Sequence, residues 1–243
     1  MKRLLDLVLS ITGLMIASPV LLPVMFLVWL QDYKSPFYIA SRVGKGERAF
    51  DMVKLRSMVA NADKSGVDST SANDSRITPV GQFIRRYKLD ELTQLWNVMK
   101  GEMSLVGPRP NVPRETALYT PEEKVLLSVR PGITDFASIV FSDEGDILQD
   151  KPDPDLAYNQ LIRPWKSRLG LVYIEHSSLW IDLQLIFFTL IAVFSRDIAL
   201  KWVQGCLRGL QVDDKVLEVS RMNTDLEPFP PPGADQVVTS RKV

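Results

Sequence analysis

The chain has 243 residues, with 29 Lys plus Arg against 29 Asp plus Glu, and 46% of it is hydrophobic. This zero charge balance argues against a nucleic-acid binder working through a basic surface. A single cysteine, Cys206, and a single histidine, His176, rule out an internal disulfide and a Cys/His zinc cluster of the usual kind. The first predicted element is apolar. Residues 7–30 carry no charge and as a helix would be about 36 Å long, enough for a hydrocarbon core of roughly 30 Å. The run is too long for a signal-peptide core, and no small-residue cleavage site follows it. Ser18-Pro19 and Pro23 fall inside it. Each proline removes a backbone donor, so a kink is predicted, with the Ser18 hydroxyl bonding a freed carbonyl. Lys2 and Arg3 precede the run, and Lys34, Arg42, Lys45 and Arg48 follow it, so both flanks favour the cytoplasmic side. These residues leave two readings open: a kinked spanning helix, and a re-entrant helix that enters and leaves by one face.

Two short strands are predicted next, at 36–42 and 49–58, around a turn at 43–47, with Phe50, Met52 and Lys54 on one face. Lys54 and Arg56 are candidates to meet phosphate; solvated strand-edge charge is the alternative. A polar loop at 61–75 and a short basic helix at 78–88 follow. In the stretch 90–101, Leu92, Leu95, Trp96 and Met99 recur at the spacing of one buried helix face. Asp90 stands where an N-cap belongs and Gly101 where a C′ glycine belongs. Arg76, Arg85, Arg86 and Lys88 lead into the acid pair Asp90-Glu91, and the rigid turn Gly107-Pro108-Arg109-Pro110 leads out. From the helix alone, plain capping accounts for the pair. With the arginines, the pattern points to phosphate chemistry with a metal.

Arg76-Ile77-Thr78-Pro79-Val80-Gly81-Gln82-Phe83-Ile84-Arg85-Arg86 runs into Leu89-Asp90-Glu91-Leu92-Thr93-Gln94-Leu95-Trp96-Asn97-Val98-Met99-Lys100-Gly101. Met103-Ser104-Leu105-Val106-Gly107-Pro108-Arg109-Pro110 and Arg130-Pro131-Gly132-Ile133-Thr134 follow. Over about residues 2–194 the chain resembles the bacterial sugar transferases, the monotopic phosphoglycosyl transferases. The resemblance implies transfer of a phosphosugar from a nucleotide diphosphate sugar, usually UDP-linked, to a membrane polyprenol phosphate, as the first step of a surface glycan. It implies that Asp90 is the nucleophile of a two-step, covalent mechanism and that Glu91 helps hold Mg²⁺. It carries Lys54, Arg85 and Arg109 over as basic residues of the site and Asp182 as a further acidic one, expected with Glu91 to be a metal ligand. It favours the re-entrant reading, with the helix broken at Ser18-Pro19. The chain departs from the family at Asp135, where most members have a small residue, and at Gly170, where many have Asp.

In the last third, Arg130 is read either as a nucleotide contact or as part of a structural turn. The acidic stretch 142–155 contains Asp153-Pro154-Asp155, an Asp-x-Asp pattern that a solvated loop explains as well. Residues 179–194 form a second apolar run, and 198–208 are basic and amphipathic, with Trp202 as an interfacial anchor beside Lys2 and Arg3. The tail from 223 reads as poorly ordered. The expected architecture is therefore α/β and mostly helical: a re-entrant membrane helix-break-helix (1–33), a small cytosolic catalytic domain with amphipathic interface helices (34–210), and a partly disordered tail (211–243). The expected setting is the cytoplasmic face of the bacterial inner membrane. The expected partners are the nucleotide sugar, polyprenol phosphate and lipid, with no nucleic acid; a homodimer is left open. Two rivals remain, a tethered metal-dependent glycosyltransferase using Asp153 and Asp155, and a non-catalytic membrane scaffold.

Overall fold

The computed structural model describes residues 1–62 and 74–240; most of the polar loop expected at 61–75 lies outside them. The chain opens with α1 (Lys2–Leu30), an unbroken helix that contains both Pro19 and Pro23. The expected break at Ser18-Pro19 is absent as a change of secondary structure. The reason is local. Proline 19 cannot donate to the Met15 carbonyl, and the Ser18 hydroxyl donates to it instead at 2.8 Å. α1 is long and apolar enough, by length and composition, to cross a membrane.

What α1 packs against decides how it sits. Its buried positions, Asp6, Ser10, Leu21, Val24 and Val28, form a stripe along the helix. Leu21, Val24 and Val28 share a core with Leu55, Ile84 and Leu89 of the body. At the N-terminal end, Lys2 donates to Asp182 (2.6 Å), to the Tyr173 hydroxyl and to the Val106 carbonyl. Arg3 donates to the Val98 and Met99 carbonyls, and buried Asp6 accepts from the Ser104 hydroxyl and the Leu105 amide. At the other end, Arg56 forks onto both oxygens of Asp32 (2.5 and 2.7 Å) and reaches the Val28 carbonyl. That hydrogen bonding holds the Asp32 carboxyl at about 2. One helix, about 43 Å long at 1.5 Å per residue, is thus tied to one body at both ends.

The hairpin is as expected. β1 (Phe37–Val43) pairs antiparallel with β2 (Ala49–Leu55), Phe37 facing Leu55 and Val43 facing Ala49. α2 (Pro79–Arg86) is capped by Thr78, whose hydroxyl accepts from the Gly81 amide. Gly81 is required there, since a Cβ would lie 1.8 Å from the Ser57 carbonyl oxygen. The single short helix expected over 90–100 is split into α3 (Leu89–Leu92) and α4 (Leu95–Lys100), which ends on left-handed Gly101. β3 (Ser104–Val106), α5 (Pro113–Thr116), a 3₁₀ turn at Glu123–Ser128 and β4 (Gly132–Thr134) follow; β3 and β4 run parallel.

The main core lies under α6 (Phe136–Val140), α7 (Glu144–Ile147), α8 (Pro154–Ala157), α9 (Arg163–Glu175), α10 (Leu179–Phe194), α11 (Arg196–Gly209) and α12 (Asp214–Val219). Asp153 caps α8 by accepting from the Leu156 amide, which accounts for the Asp-x-Asp pattern structurally. Trp202 stacks on Phe187, 5.3 Å between ring centres. α1 and α10 leave Leu4, Ile16, Leu22 and Phe26 with Trp180 and Phe194 exposed, more apolar surface than a water-facing helix pair carries. The tail is not loose, as expected, but held. Phe229 stacks on Trp165, Arg168 lies over the Phe229 ring, and Thr120 donates to the Pro232 carbonyl. Stacking and cation–π contact supply what the polar, proline-rich composition hides.

Candidate active site

The acid pair is placed by a strand, a tight turn and a parallel strand end. Asp90 is not the N-cap expected from the sequence. Lys88 takes that place in a left-handed conformation (φ 52°), and Asp90 lies one residue into α3. The Thr93 hydroxyl donates to the Asp90 carbonyl and to the Val53 carbonyl, which tightens the turn and pins α3 to β2. The same turn swings α4. Trp96, expected in the buried face, is 52% exposed, and Gln94 and Asn97 are fully buried instead. Asn97 acts as a short piece of strand. Its amide accepts from the Val53 N–H and donates to the Asp51 carbonyl, fixing β2 on either side of Met52.

That pinning delivers Lys54 to Asp90, Nζ to Oδ2 at 3.3 Å, with side chains 21% and 15% exposed. Arg109 follows the Gly107 turn, where β3 and β4 approach so closely that a Cβ on Gly132 would meet the Gly107 amide nitrogen at 2.1 Å. Its guanidinium donates to Glu91 at 2.7 Å and to the Ile133 carbonyl. Burial opposes the charge on Glu91, but Arg109, Lys54 and Lys88 outweigh it and hold the carboxyl at about 2. Glu91 in turn raises Arg109. Burial pushes the Lys54 ammonium down, opposed first by Asp90. Arg85 donates to the Ser57 hydroxyl, and burial lowers it against the charges of Asp90 and Asp74. With α3 a single turn, the positive field at Asp90 comes from Lys54 and Arg85 more than from a helix dipole.

Four of the expected basic and acidic positions therefore meet: Lys54, Asp90, Glu91 and Arg109, with Arg85 within reach of Asp90's charge. Two others do not. Arg130 is exposed and donates to the Gly101 carbonyl, which is the structural-turn reading. Asp182 is buried with Oδ2 on Lys2 and Oδ1 accepting from the Tyr173 hydroxyl, so both oxygens are committed to anchoring α1. Lys2 and Arg3 accordingly serve as latches to the body as well as flanking charges. In the sequence Glu144 is one acid of the acidic stretch 142–155, with nothing to set it apart from its neighbours. It pairs with Lys166, and the charges of Lys166, Arg109 and Lys54 lower it against burial. Only the fold brings it there.

A metal must be met by the residues present. Among the described residues no group of three or more His, Cys, Asp or Glu forms a cage. Mg²⁺ does not need one, since it takes one or two carboxylates with substrate phosphates and water. Glu91 fits that mode. It is held ionised, its side chain is 21% exposed, and its recorded bond uses Oε1 alone. Asp182, with both oxygens committed, does not fit.

The chain is similar in sequence to known proteins. The family described as Bacterial sugar transferase matches residues 1–196. The UDP-N-acetylgalactosamine-undecaprenyl-phosphate N-acetylgalactosaminephosphotransferase of Aeromonas hydrophila is 32% identical over 198 residues, covering 78% of this chain and 42% of that protein. The undecaprenyl-phosphate glucose phosphotransferase of Komagataeibacter xylinus is 36% identical over 204 residues, covering 81% and 36%. The exopolysaccharide production protein ExoY of Sinorhizobium fredii is 38% identical over 148 residues, covering 55% and 66%. The chain thus spans 36–42% of the length of the first two relatives.

Proposed function

The chain belongs to the bacterial sugar transferase family, and on that premise we propose that it moves a phosphosugar from a UDP-sugar to a membrane polyprenol phosphate, releasing UMP. The observation that carries the reading is the half-buried pair Asp90-Glu91, each carboxylate met by its own cation, Lys54 at 3.3 Å and Arg109 at 2.7 Å. In the first step the Asp90 carboxylate attacks the phosphorus that bears the sugar. The bond from that phosphorus to the bridging oxygen breaks, and UMP leaves with the electron pair. In the second step an oxygen of the polyprenol phosphate attacks the same phosphorus, the bond from phosphorus to the Asp90 carboxylate oxygen breaks, and Asp90 is regenerated with the electron pair. Splitting the transfer lowers each barrier. Lys54, Arg85 and Arg109 stabilise charge on the phosphoryl oxygens. Glu91 would hold Mg²⁺, which supplies neutralisation of the diphosphate and of the leaving group. Purified full-length chain in lipid nanodiscs, given UDP-sugars and undecaprenyl phosphate, should release UMP and form a lipid-linked phosphosugar with at least one donor. No product from UDP-glucose, UDP-galactose or their N-acetylated amino forms would sink the reading.

The proposed setting is monotopic, on the cytoplasmic face, with α1 entering and leaving on one side. The support is mechanical. Lys2, Arg3 and Asp6 at one end of α1, and Val28 and Asp32 at the other, bond the same body. A spanning α1 would draw charged groups of that body into hydrocarbon. A cysteine inserted after Met1, and another replacing Lys45, each in a Cys206→Ser background, should both resist an impermeant thiol reagent in intact cells. Labelling of the first alone would mean that α1 spans.

A further inference from the structure

Arg109 belongs to two places at once. One of its nitrogens bonds Glu91, and the same side chain lines a cavity that opens to solvent. Asn111, Tyr119, Tyr158, Lys166 and Asp135 line it too, and among the described residues Asp135 is the single carboxylate on its wall. Asp135 caps α6, and its Oδ1 accepts both the Ser138 amide and the Ser138 hydroxyl, each at 2.7 Å. Both bonds fall on one oxygen, which leaves Oδ2 to the cavity that Asp135 lines. A cap requires one oxygen and works well at the surface. This carboxylate is only 2% exposed, and burial pushes it up against the charges of Lys166 and Arg109. Oδ2 has no protein donor among the described residues, so its donor comes from the cavity, as water or as a ligand hydroxyl. Across the cavity stand two tyrosines, Tyr119 taking the Asn111 amide at 2.7 Å. A lone acceptor, phenol groups and flanking cations suit a group rich in hydroxyls attached to a phosphate.

Resting on the donor reading above, we propose that this cavity takes the sugar of the nucleotide sugar, with Asp135 Oδ2 accepting from a sugar hydroxyl and Arg109 standing where sugar meets diphosphate. The phosphorus that Asp90 attacks carries the sugar directly, so the sugar, not the base, is the group that a cavity bordered by the dyad's own arginine receives. Asp135 is then a specificity residue.

Asp135→Asn separates this role from capping, because Asn caps as well as Asp while its second atom becomes a donor. Equilibrium binding of UDP-glucose, UDP-galactose, their N-acetylated amino counterparts and UDP is measured on the full chain in nanodiscs with magnesium, with Asp90→Asn in every protein so that no donor is consumed and wild type denoting the chain with Asp135 intact. The wild type should bind at least one UDP-sugar roughly tenfold or more tighter than UDP. Asp135→Asn should erase that increment with UDP affinity and the thermal midpoint unchanged. Tyr158→Phe, which keeps the ring, should erase part of it. The proposal is overturned by a wild type that binds every UDP-sugar no better than UDP, by unchanged binding in both variants, or by an equal loss for UDP, which would put the nucleotide in the cavity. With Asp90 replaced, binding is read without turnover, so a failure of the Asp90 mechanism would leave this difference measurable.

Discussion

Asp90→Asn should fold and lose transfer by roughly 10⁴–10⁶-fold, the scale seen when a nucleophile is removed. The substitution is a fair test because little else depends on the charge. Asp90 does not cap α3, whose N-cap is Lys88, and the bond that holds the turn runs from Thr93 to the Asp90 main-chain carbonyl, which Asn keeps. The side chain's recorded partner is Lys54 at 3.3 Å, and an amide oxygen can still accept from it. If Asp90 is a structural partner of Lys54, Asn works nearly as well. If it attacks phosphorus, Asn cannot. Donor alone, with no polyprenol phosphate, should then label the wild type and not the variant, and hydroxylamine should release the label as it does from an acyl phosphate. A folded Asp90→Asn protein that transfers at a near-normal rate removes Asp90 from the mechanism.

The second large effect is expected at Glu91. With its carboxyl held at about 2, the group is an anion at any working pH. Because the folded value lies below the unfolded one, near 4.3, its pairing with Arg109 adds stability above that unfolded value and loses it as pH falls towards 2. Glu91→Gln keeps shape and an acceptor for Arg109 but removes the charge. Turnover should fall roughly 10²–10³-fold, excess chelator should abolish wild-type turnover, and Mg²⁺ should restore it. A role confined to positioning Arg109 predicts a small loss in Glu91→Gln and indifference to chelator. Full wild-type activity in excess chelator would take the metal out of the reaction.

The sequence carried the chemistry further than the geometry. Lys54, Arg85 and Arg109 lie far apart along the chain, yet the motif pattern singled them out, and the hairpin register and the close pass of Gly107 over Gly132 bring Lys54 and Arg109 to the acid pair. Helix periodicity misled where a side chain competed with the backbone. Leu92, Leu95, Trp96 and Met99 read as one stripe, but the Thr93 hydroxyl breaks the helix there and turns Trp96 outward. Asn97 was one polar residue in an apolar run, and nothing in the sequence states that its amide would complete β2. Asp182 misled for a different reason. A buried acid in an apolar helix can serve a metal or an ion pair equally, and its partner, Lys2, stands at the opposite end of the sequence. The tail failed on composition alone, since proline content says nothing of where one phenylalanine will stack.

The clasp between Lys2 and Asp182 joins residues 180 positions apart. Synthesis at about 5–20 residues per second puts roughly 10–40 s between the appearance of one partner and the other. The Ser104 and Leu105 contacts to Asp6 arrive in about half that time, and the Arg56 fork onto Asp32 closes early. α1 is therefore fastened from its far end first and from its own beginning last. For most of translation its apolar surface has no complete protein seat, and lipid is the surroundings that can receive it.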